Sequence, residues 1–240
     1  MRKVKNLFLY FNNIRRAIRK KPSWSALKDM IRFYPSWLSY LSSNRNSVID
    51  KMPWLCFGAI DFIKQIVKKD FVVFEYGSGG STLFWSQRVN KVISIEHDKE
   101  WYEKMIAEFQ KLGINNVDYK LVEAENDDQF TTKSISNPMH YVSDDIMFKG
   151  KKFEFYTKQI DSFPDSYFDV IVVDGRARPS CILHAQNKLK KGGYLIIDNT
   201  ERAYYTDVFS FNKPLWDVRK FYGPVPYIGH FSETSVLKKQ

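Results

Sequence analysis

From residue 53 onwards, the hydrophobic pattern of this chain alternates between short apolar runs and longer amphipathic segments. Short apolar runs bounded by turn residues are typical of buried strands, and apolar residues three and four apart are typical of helices. The runs predict strands at 71–75, 91–98, 117–122, 168–174 and 194–198, and two more near 218–222 and 233–238. The segments between them predict helices at 53–69, 81–89, 101–112, 153–160 and 181–191.

This alternation predicts a doubly wound α/β fold, because right-handed crossovers lay each new strand parallel to the last. The strand at 168–174 is almost wholly apolar, so we expect it near the centre of the sheet. The C-terminal strand is expected to be antiparallel. Residues 53–240 therefore form the predicted domain, a Rossmann-like and mostly parallel sheet with an insertion at 124–152 that is polar and irregular.

The N-terminal residues extend this domain. Residues 22–52 are predicted to be a helical cap or linker, with two short helices separated by Pro35. Residues 1–21 are predicted to be a basic amphipathic helix that ends at Pro22. Its apolar stripe either lies on an anionic membrane surface or packs on the body or on a second subunit, and these alternatives stay open. The stripe contains Val4, Leu7, Phe8, Phe11, Ile14 and Ile18.

Most of the net charge of +10 lies in that extension. Eight of the 37 Lys and Arg residues fall within residues 1–22, which hold no acid, so the other 29 nearly balance the 27 Asp and Glu residues. A nucleic-acid enzyme more often carries its basic surface beside the active site, so we expect no nucleic-acid partner. Cys56 and Cys181 lie too far apart to indicate a disulfide framework or a zinc site. With no membrane-spanning run and a poor signal peptide, the sequence predicts a cytoplasmic protein.

The most informative stretch is Phe71–Thr82, where an apolar run ends in Glu75 and breaks into three glycines, Gly77, Gly79 and Gly80. A strand that feeds a glycine turn and a helix N-terminus can present free amides to a ligand. Two interpretations compete, a dinucleotide fingerprint and the S-adenosylmethionine (SAM) loop of class I methyltransferases. The dinucleotide pattern requires a third glycine where this chain has Thr82, which favours SAM.

Polar residues follow five of the predicted strands, at the edge where ligands bind in such sheets. Glu96 lies about twenty residues past the first strand, where an acidic side chain meets the ribose hydroxyls of an adenosine cofactor. This carboxylate would repel a 2′-phosphate, and His97 is expected to be a neighbour of the same pocket. The five strand ends carry Glu75, Glu96, the region 123–125, Asp174, and Asp198 with Asn199.

In this order, residues 71–200 resemble a class I SAM-dependent methyltransferase. Glu75–Ser81 resembles that family's first motif, Glu96 its ribose carboxylate, and Phe168–Asp174 its fourth-strand motif. The resemblance implies that SAM is the cofactor. The cofactor-binding residues that it implies are Glu75, Gly77, Ser78, Gly79, Gly80, Ser81, Glu96, His97, Glu123 and Asp174.

A narrower resemblance is to the catechol- and caffeoyl-type O-methyltransferases, whose fourth strand ends in Asp and whose fifth ends in Asp-Asn. Asp174, Asp198 and Asn199 match the residues that hold a divalent cation in that family. Two carboxylates and an amide oxygen form a hard oxygen site, as Mg²⁺ prefers. The resemblance therefore implies Mg²⁺ or another divalent cation, which would lower the pKa of a bound hydroxyl.

The chain departs from that family three residues after the first Asp, where Ala177 replaces a basic lysine. The flanking Arg176 and Arg178 are also candidate catalytic residues. They stay protonated and cannot serve as general bases, but they can bind an acceptor or hold loops together. Without a metal, Asp174 and Asp198 are the candidate catalytic bases. In the alternative interpretation a structural polar network is formed by Asp198, Asn199, Glu201 and Arg202.

We expect methyl transfer to a hydroxyl oxygen of a sugar or another small polar acceptor. The chain also resembles bacterial methyltransferases of surface-polysaccharide synthesis, through its G-G-S-T loop and D-G-R-x-R strand end, which implies work at the inner face of the membrane. An NAD-linked dehydrogenase or epimerase and a non-catalytic membrane-associated assembly factor remain alternative functions. A homodimer remains open as the oligomeric state. The segments expected to cover the acceptor are Asn137–Tyr141, Trp216 and Phe221–Tyr227.

Overall fold

The computed structural model describes residues 2–20, 24–42 and 44–240. Seven strands of these residues form one sheet in the order β3-β2-β1-β6-β7-β9-β8, and β4 and β5 form a separate small ladder. The strands are β1 (Val72–Tyr76), β2 (Lys91–Glu96), β3 (Val117–Leu121), β4 (Glu125–Asn126), β5 (Lys151–Lys152), β6 (Phe168–Val173), β7 (Leu189–Asp198), β8 (Trp216–Pro224) and β9 (Phe231–Lys239). The helices are α1 (Arg2–Lys20), α2 (Trp24–Ser42), α3 (Ser47–Asp50), α4 (Phe57–Ile66), α5 (Gly80–Ser86), α6 (Lys99–Lys111), α7 (Glu154–Lys158) and α8 (Arg178–Lys188).

The strand pairing confirms the predicted doubly wound, mostly parallel sheet. β1 pairs in parallel with β2 and β6, β2 with β3, and β6 with β7. β9 lies between β7 and β8 and is antiparallel to both, as expected for the C-terminal strand. All the parallel strands therefore present their carboxyl ends at one edge of the sheet.

The core lies on both faces of the sheet, and alternate residues of β6 belong to different layers. Val170 and Val172 pack with the layer that contains Trp37, while Ile171 and Val173 pack with the layer around α7 and α8. Because both faces are covered by helices, β6 has no polar face, and this explains its nearly continuous apolar sequence.

The expectation of two short helices around Pro35 is wrong, because α2 runs through this proline as a single helix. A proline inside a helix costs roughly 3 kcal/mol. Met30, Phe33 and Trp37 are all buried on one side of α2, and each such side chain contributes about 1.5–3 kcal/mol on burial. Trp37 Nε1 also donates to Ile228 O at 2.9 Å. Tertiary packing therefore outweighs the local cost.

Element boundaries differ elsewhere. The helix predicted at 53–69 begins only at Phe57, and the short α3 precedes it. The helix predicted at 181–191 begins at Arg178, because Ala177 turns the chain in the left-handed region (φ 46°) and Pro179 lies in the first turn of α8. Residues 192–193, between the predicted helix and the predicted strand at 194–198, belong to β7. The insertion at 124–152 is mostly irregular, as expected, and β4 and β5 close it.

α1 buries a different face from the predicted stripe. Asn6, Tyr10, Asn13 and Ala17 are buried, with Tyr10 Oη donating to Met30 O and Asn13 Nδ2 donating to Gly229 O at 2.7 Å. Within the described part of the chain, no helix is long and apolar enough to cross a bilayer. The predicted end of α1 at Pro22, and the side chain of Val4, lie outside the described residues. Four members of the predicted stripe are exposed, Leu7 (39%), Phe8 (68%), Phe11 (60%) and Ile18 (40%).

Candidate functional site

A cleft of about 660 Å³ lies beyond the carboxyl ends of β1, β2, β6 and β7. Its volume is in the range of small-molecule sites, roughly 300–1,000 Å³. Glu75 and Glu123, which were predicted to bind the cofactor, do not line this cleft, and Glu123 is exposed. The predicted residues that do line it are Gly77, Ser78, Gly79, Gly80, Ser81, Glu96, His97, Asp174, Arg176, Arg178, Asp198 and Asn199.

Two glycines allow the turn after β1 to approach its neighbours. Gly77 has φ +88°, and a Cβ there would lie 2.9 Å from Gly175 Cα, at the end of the adjacent β6. A Cβ on Gly80 would overlap Ser47 O and lie 2.6 Å from Met52 O. The turn is therefore held between the end of β6 and the segment around α3.

Glu75 lies beneath this turn and is fully buried. Its Oε2 accepts from Thr82 Oγ1 at 2.6 Å and from Ser94 Oγ at 3.0 Å, and Thr82 Oγ1 in turn accepts from Gly79 N at 3.0 Å. Thr82 is the residue that breaks the dinucleotide pattern, and its hydroxyl joins Glu75 to the turn. Glu75 therefore supports the shape of the turn from below.

Burial of Glu75 makes its contribution to stability depend on pH. Burial raises the pKa of Glu75 from 4.5 to about 7, so between these values the folded chain keeps a proton that the unfolded chain releases. The stability that the protonated Glu75 contributes is therefore fully present below the unfolded pKa of 4.5, and it is lost as pH rises through the folded pKa of about 7. We therefore expect the free energy of unfolding of Glu75→Gln, relative to that of wild type, to rise by about 2–3 kcal/mol from about pH 5 to pH 8.

Urea unfolding of both proteins at the two pH values measures this difference. Glu103→Gln, on the exposed side of α6, is the control for the substitution itself. A Glu75→Gln effect that is the same at both pH values would show that the Glu75 carboxyl ionises normally in the folded protein.

Glu96, at the end of β2, is buried with both carboxylate oxygens occupied. Oε1 accepts from the backbone amides of His97 (2.7 Å) and Asp98 (2.9 Å) and lies 2.8 Å from His97 Nδ1. Oε2 accepts from Ser78 N at 3.1 Å and Ser78 Oγ at 2.6 Å. Although burial raises its pKa, His97, Ser78 and the Asp98 amide outweigh that effect and lower the pKa of Glu96 to about 2. Glu96 is therefore a fixed anion.

Two aromatic residues that the sequence did not single out contact Ser78 at this end of the cleft. Trp101, in the first turn of α6, lines the cleft and donates from Nε1 to Ser78 O at 3.0 Å. Tyr119 Oη lies 2.6 Å from Ser78 Oγ, so this hydroxyl has a second partner besides Glu96. Trp101 stands three residues after Asp98, the N-cap of α6, and this position in the sequence does not distinguish a site residue from a core residue.

Asp174, Asp198 and Asn199 meet at the opposite side of the cleft, as predicted from the strand ends. The side chain of Asp198 is 6% exposed and that of Asp174 is 26% exposed. Burial and then the charge of Asp174 raise the pKa of Asp198, and Thr234 Oγ1 donates to Asp198 Oδ1 at 2.7 Å. Burial also raises the pKa of Asp174, although Arg178 opposes this shift.

These three residues do not fit a divalent cation as they are arranged, because the guanidinium of Arg178 lies among them. Arg178 Nη2 donates to Asp174 Oδ1 at 3.0 Å, Nη1 donates to Asn199 Oδ1 at 3.0 Å, and Nη1 lies 4.0 Å from Asp198 Oδ2. Within the described ranges, no group of three or more His, Cys, Asp and Glu side chains could hold a metal ion. The predicted metal ligands therefore surround the positively charged guanidinium of Arg178.

Arg176, a predicted catalytic residue, ties the insertion to the end of β6. Its Nη2 lies 2.9 Å from Asp145 Oδ2. The preceding Asp144 makes a second tie, because it accepts from Arg202 Nη1 at 2.8 Å and from Tyr204 Oη at 2.6 Å. The insertion is thus attached to both sides of the Asp174–Asp198 rim.

A second cavity of about 480 Å³ lies between α1, α2 and β8, and Glu201 lines both cavities. Of the aromatic segments expected to cover an acceptor, Phe221 and Tyr222 line this second cavity. Trp216 is instead buried against Phe211, and residues 137–141 line neither cavity.

Solved structures with a TM-score above 0.5 share this fold, and a structure with a lower score is less similar. An O-methyltransferase from Bacillus cereus, in complex with S-adenosylhomocysteine (SAH), is 14% identical, with 94% of this chain and 96% of that chain covered and a TM-score of 0.53. A Streptococcus mutans protein assigned as a methyltransferase, also with SAH, is 16% identical, with 75% and 94% covered and a TM-score of 0.51. An rRNA methylase from Streptococcus thermophilus is 18% identical, with 75% and 92% covered and a TM-score of 0.46.

The chain therefore has the fold of class I SAM-dependent methyltransferases, as its motifs predicted. No protein-family model matches the sequence, and no curated protein matches it. Because one fold serves many reactions, the site itself must carry the functional conclusion.

Proposed function

We propose that this protein transfers a methyl group from SAM to a hydroxyl oxygen of a small polar acceptor, such as a sugar. The observation that carries the proposal is the shared cleft, in which the glycine turn and the Glu96 anion face Asp198 across the ends of four strands. The near balance of charge outside residues 1–22 favours a small acceptor over a nucleic acid.

The residues at one end of the cleft fit SAM. The glycine turn lines the cleft for its methionine end, where Gly80 and Ser81 begin α5, and Glu96, ionised at neutral pH, accepts from its ribose hydroxyls. The Ser78 hydroxyl can release Glu96 Oε2 to the ribose, since Tyr119 offers it another partner. Trp101 forms a wall beside them.

Asp198 is the proposed general base. When bound, SAM supplies an electrophilic methyl carbon whose bond to sulfur is replaced by a bond to the acceptor oxygen, leaving SAH. Asp198 takes the hydroxyl proton onto its carboxylate, and its raised pKa makes it a better proton acceptor than an ordinary Asp. Thr234 holds Oδ1 in place. The rest of the protein's contribution to catalysis is to align SAM with the acceptor hydroxyl.

The second cavity supports a sugar as the acceptor class. Glu201, which lines both cavities, and Glu233 supply carboxylates that accept from hydroxyl groups. Phe33, Phe221 and Tyr222 add aromatic surface of the kind that packs against the apolar face of a sugar ring.

Calorimetric titration of the protein with SAH and with NAD⁺ tests the proposal. We expect SAH to bind at a single site and NAD⁺ not to bind, since Thr82 and its bonds to Glu75 and Gly79 replace the third glycine of a dinucleotide loop. Tight NAD⁺ binding without SAH binding would favour the dehydrogenase or epimerase alternative. Binding of neither would favour the non-catalytic assembly factor.

We also propose that α1 rests on an anionic membrane surface, where lipid-carried sugars would be within reach. Leu7, Phe8 and Phe11 remain exposed because α1 uses its other face to pack on the body, and Ile18 is exposed and also lines the second cavity. Arg15, Arg16 and Arg19 are exposed beside them, and residues 1–22 contain eight basic residues and no acid. An apolar stripe flanked by basic residues is typical of helices that lie in a membrane interface.

Flotation with vesicles tests this surface. We expect binding to phosphatidylglycerol vesicles but not to phosphatidylcholine vesicles, and a fall in binding of about tenfold or more for Phe8→Ser with Phe11→Ser. Met147→Ser, at an exposed apolar residue of the insertion, is the matched control. If the double variant binds as wild type does, or if it instead converts a wild-type dimer into a monomer, the membrane assignment is wrong.

A further inference from the structure

The side chain of Arg178 is buried and all its hydrogen-bond donors are used within the protein. A guanidinium has five N–H donors. Nε donates to Gly175 O at 3.1 Å, Nη1 to Asp198 O at 2.5 Å and Asn199 Oδ1 at 3.0 Å, and Nη2 to Asp174 O at 3.2 Å and Asp174 Oδ1 at 3.0 Å. No donor is left for an acceptor molecule, so Arg178 is a positioning residue.

The residues around this guanidinium match those that hold the divalent cation in the metal-dependent O-methyltransferases. Asp174 and Asn199 each accept one of its hydrogen bonds through a side-chain oxygen, and Asp198 contributes its carbonyl oxygen and a carboxylate 4.0 Å away. A divalent ion bound to the same oxygens would lie beside the buried guanidinium and would compete with it for the same carboxylates.

We propose that Arg178 takes the place of the divalent cation, so that the chain binds no metal at this rim. The guanidinium clamps the end of β6 to the end of β7, and it leaves the Asp198 carboxylate for the proton transfer. The catalytic part of this inference rests on the proposed methyl transfer. Metal binding and thermal stability are measured without SAM, so their outcome is distinct from the outcome of the SAH titration.

Titration of the wild-type protein with Mn²⁺, followed by electron paramagnetic resonance, is the first test. We expect no stoichiometric site, and we expect neither millimolar Mg²⁺ nor EDTA to change the melting temperature. One tightly bound Mn²⁺ per chain that Mg²⁺ displaces and Asp198→Asn abolishes would overturn the proposal. This measurement needs no variant to show the expected result.

The Arg178→Met variant is the second test, because it keeps side-chain length and removes the cation. The two carboxylates then lose the guanidinium that lies between them, and we expect the melting temperature to fall by roughly 10 °C. Mg²⁺ or Mn²⁺ should raise it again in this variant and not in wild type, since the oxygen set is then free. The melting temperature of Arg178→Lys should lie between those of wild type and Arg178→Met, because lysine keeps the charge and loses the forked donors of the guanidinium.

Arg219→Met is the matched control, since the Arg219 side chain is 57% exposed on β8 and lies 3.9 Å from Asp217. We expect its melting temperature to stay close to that of wild type with or without metal. An Arg178→Met protein as stable as this control would show that the guanidinium does not hold the rim, and the proposal would be wrong.

Discussion

Glu96→Ala is expected to weaken SAH binding by about 100-fold or more. Hydrogen bonds to a charged group contribute about 1.5–3 kcal/mol each, and two ribose hydroxyls would donate to this carboxylate. Every 1.4 kcal/mol is a factor of ten in affinity. Because the pKa of Glu96 is lowered to about 2, the full negative charge is present at neutral pH. Calorimetry with SAH measures the change.

Glu96 also holds the Ser78, His97 and Asp98 amides, so part of the loss could come from a loosened loop. Glu96→Gln separates the two effects, because it keeps the length of the side chain and removes the charge. The matched control is Glu123→Ala, an exposed Glu after the neighbouring β3 that does not line the cleft, and its SAH affinity should equal that of wild type. An unchanged Kd in both Glu96 variants would remove the ribose assignment.

The strand ends explain why the sequence predicted most of the cleft. Parallel strands separated by helices must end at one edge, so the polar residues after them share that edge whatever the details of packing. Glu96, Asp174 and Asp198 all line the cleft on this ground alone. Glu75 and Glu123 are the exceptions among the strand ends. Glu75 is the last but one residue of β1, so alternation along the strand turns its side chain under the turn.

Contacts between distant parts of the chain explain what the sequence did not predict. Arg178 was identified as a candidate, but only tertiary structure shows that its donors go to Asn199 and to the carbonyl of Asp198, about one helix and one strand away. For α1, the apolar stripe did not predict which face is buried, since Phe8 and Phe11 are exposed while Asn6 and Asn13 are buried. A pattern of apolar and polar residues cannot predict that a polar side chain is buried because its amide group finds a hydrogen-bond partner. Asn13 is such a case, since its side-chain amide donates to Gly229 O.

Asp198→Asn is expected to lower kcat by about 100-fold or more while leaving the SAH affinity within a few-fold of wild type. General-base catalysis contributes typically 10²–10⁴-fold, and an amide cannot take the acceptor proton. The change should preserve the fold, because Asn can still accept from Thr234 Oγ1, as Asp198 Oδ1 does. SAH formation from SAM, with methyl glycosides and catechol as hydroxyl acceptors, measures kcat.

The pH profile separates a base from a merely structural carboxylate. The raised pKa of Asp198 means that the wild-type rate should fall with decreasing pH well above the ordinary Asp range near pH 4, because the protonated carboxyl cannot act as a base. The residual rate of Asp198→Asn should lack this limb. Asp61→Asn, on α4 outside the cleft, is the control for the same chemical change. If Asp198→Asn keeps both the wild-type kcat and the acidic limb, Asp198 is not the base, and the more exposed Asp174 becomes the candidate to replace next.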